Sequence, residues 1–248
     1  MSKSIYIFGF HSIESVLNSS PELVIRVLIQ KGRKDKRIID LTDTLNSHKI
    51  LYSISDKNNL DKISKGEVHQ GVISEVMTPP VLGEDSFFHS ITMFDQKPMI
   101  LILDSIQDPR NLGACLRSAN AAGVSHVVIN KDGSAPINSL VHKTSAGAIN
   151  SLQIFHVTNL SRTIKQIQER NIWVVGLDGN TQSSIYNVNL TSSIAIVVGS
   201  EGKGIRPLIK KNCDQLVSIP MSGNIESLNV SVATAISLFE IKRQRESS

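Results

Sequence analysis

Three stretches of this 248-residue chain carry polar side chains at spacings that suit chemistry on a phosphate or a sugar hydroxyl. The first runs Asp108-Pro-Arg-Asn-Leu-Gly-Ala-Cys-Leu-Arg117. Asp108 suits a helix N-cap, Pro109 the first helical position and Gly123 a C-terminal stop. Leu112, Cys115, Leu116 and Ala119 form its apolar stripe, while Arg110 and Arg117 share another face, about 10 Å apart along the axis. Planar guanidiniums there suit phosphate or sugar oxygens. The second stretch, Gly199-Ser-Glu-Gly-Lys-Gly204, follows an apolar run, and its three glycines let backbone amides approach a ligand. It has neither the Gly-Lys-Ser/Thr ending of a Walker loop nor the glycine spacing of a dinucleotide fingerprint. The third stretch, Val217 to Ser231, carries a glycine loop into Ser227-Leu-Asn229 and a helical pattern. A helix start offers free N–H groups, to which Ser227 and Asn229 add side-chain donors.

These loops need a frame that brings them together. Apolar strands are predicted at 99–104, 125–129, 152–156, 172–176, 194–198 and 215–219, with helical patterns between most of them. Leu160, Ile164 and Ile167 mark one helix face; Leu228, Val232, Ala235, Ile236 and Phe239 mark a final helix. Strands alternating with helices imply a mainly parallel sheet covered on both faces, an α/β fold. Ligands bind at the carboxyl ends of such strands, where all three stretches begin. Ahead of it, strands at 5–8, 24–29, 50–54 and 71–76 with helices at 11–17, 36–45 and 58–63 predict a small α/β domain. The expected organisation is a small N-terminal domain over 1–77, a linker over 78–98 opened by Thr78-Pro-Pro, and a larger second domain over 99–248.

Charge supports a nucleic-acid partner. The net charge is +4. Arg26, Lys31, Arg33, Lys34, Lys36 and Arg37 cluster around the single acid Asp35, with Lys242, Arg243 and Arg245 near the end. Two such clusters lean towards an RNA backbone, with Arg33, Lys34, Arg37 and Arg110 as candidate RNA contacts. Aromatics make up 4% of residues, too few for an extended base-stacking platform. No apolar run spans a membrane, no secretion signal opens the chain, and Cys115 and Cys213 stand alone. A cytoplasmic protein with reduced thiols is expected. Seven histidines without paired ligand spacing argue against a metal-dependent nuclease, so no metal is expected.

Taken jointly, Asn111-Leu-Gly-Ala-Cys-Leu-Arg117, Gly199-Ser-Glu-Gly-Lys-Gly204 and Ile219-Pro-Met-Ser-Gly…Ser227-Leu-Asn-Val-Ser231 resemble the three motifs of the SpoU/TrmH family of RNA ribose 2′-O-methyltransferases. The first domain, with Phe8-Gly-Phe-His-Ser and Val68-His-Gln-Gly71, resembles the ribosomal-protein-like RNA-binding extension of that family's ribosomal-RNA branch. The resemblance implies a SPOUT-type trefoil knot, a homodimer, S-adenosylmethionine as cofactor, and a guanosine ribose as target. The implied substrate lies in the peptidyl transferase region of 23S ribosomal RNA, free or in a pre-ribosomal particle. It further implies that Gly199, Ile219 and Leu228 contact the cofactor, with Asn111, Arg117, Glu201, Ser227 and Asn229 around the reacting ribose. Two positions depart from the pattern. Asn120 stands where the family has an acid, and Arg110 stands where the motif fixes no residue. A transfer-RNA methyltransferase and a catalytically silent RNA-binding relative are the alternatives.

Overall fold

The computed structural model describes residues 4–78, 82–94, 96–223 and 227–247. It divides into two compact units: Met1–Pro80 with Ile137–Ser151, and Val81–Pro136 with Leu152–Ser248.

In the first unit, β1 (Ser4–Phe8), β2 (Val24–Gln30), β3 (Tyr52–Ser55) and β4 (Val72–Met77) form a sheet of order β1-β4-β2-β3. Strand β4 runs antiparallel to both neighbours, and β3 runs parallel to β2. Helices α1 (Phe10–Ser19), α2 (Lys36–Ser47) and α3 (Lys57–Ser64) connect them. Ile13, Leu17, Leu41 and Leu45 pack on Val27 and Val72 to form the core. The sequence reading assigns Ile137–Ser151 to the second domain. Instead this stretch packs with the first unit, where Ser15 Oγ donates to the Ala146 carbonyl at 2.6 Å and Lys143 reaches Glu67 at 3.5 Å.

The second unit is a six-stranded parallel sheet of order β10-β8-β9-β5-β6-β7. Its strands are β5 (Met99–Asp104), β6 (His126–Asn130), β7 (Gln153–Val157), β8 (Trp173–Leu177), β9 (Ile194–Gly199) and β10 (Gln215–Val217). Helix α6 (Ser139–Thr144) belongs to the first unit, while α7 (Leu160–Gln168) and α8 (Pro207–Asn212) belong to the second. Every residue of β5 and β9 is buried, as a parallel strand covered on both faces requires. Helix α5 (Pro109–Ala122) opens with the Asp108 carboxylate accepting from the Arg110 amide at 2.8 Å. It buries Leu112, Cys115, Leu116 and Ala119 and stops at Gly123, which takes a left-handed φ of 81°. No helix among the described residues is long and apolar enough to cross a membrane.

Four further expectations change. The stretch read as linker includes α4 (Glu84–Thr92), whose Phe87 is buried in the second unit's core against Phe155. Strand β10 ends at Val217 rather than residue 219, because Ser218 turns away to pair with Ser184. On the last helix, α9 (Val230–Glu246), the buried face is Val230, Thr234, Leu238 and Ile241, leaving Val232 and Phe239 exposed. The carboxy-terminal basic cluster is occupied internally. Lys242 and Arg243 pair with Glu246 and Glu240, while Arg245 donates to the carbonyls of Lys97, Pro98 and Ser192.

Candidate active site

Strand register brings the first two loops together: Asp104 at the end of β5 lies opposite Gly199 at the end of β9. Packing of α9 against α5 brings in the third. Asn229 is the N-cap of α9, its side-chain oxygen accepting from the Ser231 amide at 2.9 Å. Its Nδ2 donates to Asn111 Oδ1 at 3.0 Å and to Glu201 Oε1 at 3.2 Å, and Asn111 Nδ2 donates to Glu201 Oε2 at 2.9 Å. One carboxylate and two amides therefore tie the three loops into a closed triangle. Because both Glu201 oxygens accept from amides, this carboxylate is engaged as a tether. The resemblance implies only that Glu201 lies near the reacting ribose; its observed partners are Asn111 and Asn229.

The second loop is shaped by its glycines. Ser200 and Gly204 pair across a tight turn, with Ser200 N donating to Gly204 O at 3.1 Å and Gly204 N to Ser200 O at 2.8 Å. Gly202 and Gly204 adopt left-handed φ values of 79° and 65°. At Gly199 the constraint is space, since a Cβ there would collide with the Gly204 carbonyl and the Ile205 nitrogen. Beneath the turn, buried Asp104 accepts from the Arg206 amide at 2.9 Å and from its Nε at 2.7 Å, anchoring the loop to the sheet.

A cavity of about 670 Å³ opens beside the triangle. Gly199, Ile219 and Leu228 line it together with Glu201 and Ser227. Its walls are strand-end backbone and apolar side chains such as Val198, Val217 and Val230, in the size and character of a cofactor site. The sequence reading missed the wall formed by Leu177–Asn180 after β8, although the same strand-end rule pointed there. In that wall Asp178 pairs with Lys210 at 2.8 Å. Burial pushes the Asp178 carboxyl up, but the Lys210 ammonium and the Asn180 amide outweigh it and hold it below the usual carboxylate range.

Arg117 and Arg110 project from α5 into solvent, and neither side chain makes a hydrogen bond or ion pair among the described residues. Arg117 is not bonded to the Asn111–Glu201–Asn229 triangle. In the first unit Arg33 pairs with Asp35 at 2.7 Å and Arg37 with Glu14 at 3.2 Å. Lys34 is exposed and has no ion pair among the described residues. Residues 224–226 of the third loop lie outside the described residues. Cys115 is buried against Thr234, and burial raises its thiol to about 11. Among the described residues no cluster of His, Cys, Asp or Glu stands ready to hold a metal.

A fully parallel α/β sheet with three tethered strand-end loops around a cavity defines the class, and comparison with known proteins agrees. Residues 98–239 match the SpoU rRNA Methylase family, and residues 6–81 match the RNA 2′-O ribose methyltransferase substrate-binding family. The chain belongs to the SpoU rRNA methylase family. It is 47% identical to the 23S rRNA (guanosine-2′-O-)-methyltransferase RlmB of Haemophilus influenzae, over 99% of each chain. It is 45% identical to the same-named enzyme of Escherichia coli K12, over 96% of this chain and 98% of that one. Among solved structures, the SpoU methyltransferase AviRb of Streptomyces viridochromogenes, crystallised with AdoMet, superposes with a TM-score of 0.79 at 21% identity, covering 99% of this chain and 92% of that one.

Proposed function

We propose that this chain transfers a methyl group from S-adenosylmethionine to the ribose 2′-hydroxyl of a guanosine in 23S ribosomal RNA. The observation that carries the reading is the Asn111–Glu201–Asn229 triangle standing beside a 670 Å³ cavity at the carboxyl ends of the strands. S-adenosylmethionine supplies an activated methyl group on sulfur. The backbone of Gly199, Ile219 and Leu228 cradles it, while the triangle fixes the loops so that an RNA ribose meets the cavity mouth in one orientation. Ser227 lines the same cavity and offers a hydroxyl there.

Arg117 has the free guanidinium that this reaction needs near the ribose. A guanidinium does not give up its proton in a protein, so its role is electrostatic. It stabilises the negative charge that would develop on the 2′ oxygen as its proton passes to solvent water and the methyl leaves sulfur, with S-adenosylhomocysteine as the leaving group. It also orients an adjacent phosphate, and positioning supplies much of the acceleration.

Two finer readings follow. Val232 and Phe239 are seven apart on α9 and each 46% exposed, an apolar strip suited to a second copy of this chain in a homodimer. The connection after β8 holds both Ser218 and the end of α9, through Ser183 and Ile185 on one side and Val188 and Leu190 on the other. A chain end passed through that connection forms the knotted seat for the cofactor. The test is a map of ribose methylation across ribosomal RNA in cells with and without this chain. Loss of one guanosine 2′-O-methyl mark is expected; an unchanged 23S map, or a mark lost only from transfer RNA, overturns the reading.

A further inference from the structure

The first unit contains a second constellation that the catalytic reading leaves unused. The two short motifs near its ends, Phe8-Gly-Phe-His and Val68-His-Gln-Gly71, meet across a cavity of about 610 Å³. Phe10 forms its floor but is itself 2% exposed, because two guanidiniums cover the ring. The Arg33 carbon Cζ lies 5.3 Å from the ring centroid and that of Arg37 4.4 Å.

Both arginines are pinned from their edges. Asp35 takes Nε and Nη2 of Arg33, whose Nη1 donates to the Gln70 carbonyl. Glu14 takes Nε and Nη2 of Arg37 at 3.2 and 3.3 Å. The loop facing them is equally fixed. Gln70 adopts a left-handed φ of 51° and Gly71 one of 77°, and a Cβ on Gly71 would stand 2.7 Å from Arg33 Nη1. The Gly71 amide donates to His69 Nδ1 at 3.0 Å, so the ring carries its proton on Nε2, which faces Asp61 at 2.9 Å. Gln70 Oε1 accepts from the Phe10 amide at 3.2 Å, which leaves its Nε2 as a donor at the rim. Val68, on the same rim, is 70% exposed.

We propose that this cavity takes one unpaired nucleobase of the substrate RNA, stacked on the outer faces of the Arg33 and Arg37 guanidiniums. The proposal rests on the reading of this chain as an RNA methyltransferase and names the RNA feature its first unit recognises. Charge decides between a base and a phosphate. A guanidinium already matched by a carboxylate has little left to attract a phosphate, yet its plane stays free, and unstacked RNA bases do stack on such planes. The side chains of Arg33 and Arg37 remain 30% and 42% exposed. Lys57, also on the cavity wall, supplies a cation without an ion pair among the described residues for the backbone flanking that base.

The test uses the full chain and two RNA hairpins, one fully paired and one with a single bulged 2-aminopurine. The bulged hairpin should bind roughly ten-fold more tightly, with quenching of its 2-aminopurine, as expected of one stacked base. Arg37→Lys keeps the charge and loses the plane. It should abolish that preference, leave the slope of log Kd against log salt unchanged, and raise KM for 23S RNA while S-adenosylmethionine affinity holds. Equal binding of the two hairpins by the wild type overturns the proposal, whether or not Arg37→Lys folds. So does an Arg37→Lys protein that keeps the preference. Failure of the wild type to methylate 23S RNA at all would instead count against the proposed function.

Discussion

The two units hold their recognition groups by opposite means. In the second, the cavity is lined largely by backbone, with strand ends and a glycine turn that admits no side chain at 199, and an amide–carboxylate triangle of side chains ties the loops beside it. In the first, the cavity rests on two arginine side chains, each locked by an acid: Arg33 by neighbouring Asp35 and Arg37 by Glu14 of α1. A backbone-built site is fixed by chain path, so one added methyl group can destroy it. A side-chain-built site is fixed by pairing, so its members can be changed singly with graded loss. The difference suits the tasks. A cofactor of constant shape rewards a rigid cradle, whereas RNA contacts spread over many groups reward a surface of separable ones.

The largest effect is expected at Gly199. Gly199→Ala forces the turn away from Gly204 and Ile205, so S-adenosylmethionine binding measured by calorimetry should fall at least about a hundred-fold, with methyl transfer at background. Retained cofactor affinity would erase the contrast between the units. Next comes Arg117→Lys, which keeps a charge but loses the planar fork. Turnover at saturating RNA should drop about 10²-fold with cofactor affinity unchanged, and near-wild-type turnover removes the proposed role. Glu201→Gln sets an amide donor against one of two asparagine donors. At about 0.5–1.5 kcal/mol for a hydrogen bond between exposed groups, kcat/KM should fall roughly two- to ten-fold, read by steady-state kinetics.

Stability gives a smaller and two-sided comparison. Burial alone pushes one histidine in each unit down to about 4: His126 in the second unit and His142 in the first. The folded pKa lies below the unfolded value near 6.5, so between about pH 6.5 and 4 the unfolded chain binds more protons and stability falls as pH drops. His126 bonds Ser90 and Ser125 at 3.0 and 2.8 Å, whereas neither ring nitrogen of His142 has a partner among the described residues. Both His→Leu variants should flatten the acid slope of Tm, but only His126→Leu should lower Tm at pH 7, by about 1–3 kcal/mol of stability. The smallest effect is expected at Lys34. Lys34→Ala should reduce the slope of log Kd against log salt by about one, with no change in turnover.

Much of the second unit was legible because its signals are local. Asp108, Pro109 and Gly123 bound α5 as their types demand, and the continuous apolar runs of β5 and β9 could only be buried parallel strands. The meeting of Asn111, Glu201 and Asn229 was legible only through the three motifs jointly, since each alone reads as a cap or a turn. Other features depend on distant partners. Helix α4 hides behind a Pro- and Gly-bearing stretch, and only the pocket around Phe155 explains Phe87. Helix α9 buries Thr234 and Ser237, with hydroxyls satisfied by carbonyls four residues back, so its apolar spacing pointed to the wrong face. The basic run near Arg33 read as free charge because Glu14, the partner of Arg37, lies 23 residues away.

The most direct measurement is transfer of a tritiated methyl group from S-adenosylmethionine to full-length 23S RNA by the purified chain, followed by alkaline hydrolysis. The label should be recovered in one alkali-resistant dinucleotide beginning with guanosine, and should vanish with Gly199→Ala. Label in a base, label in transfer RNA alone, or no transfer by the wild-type chain would contradict a ribose-methylating site built on these three loops.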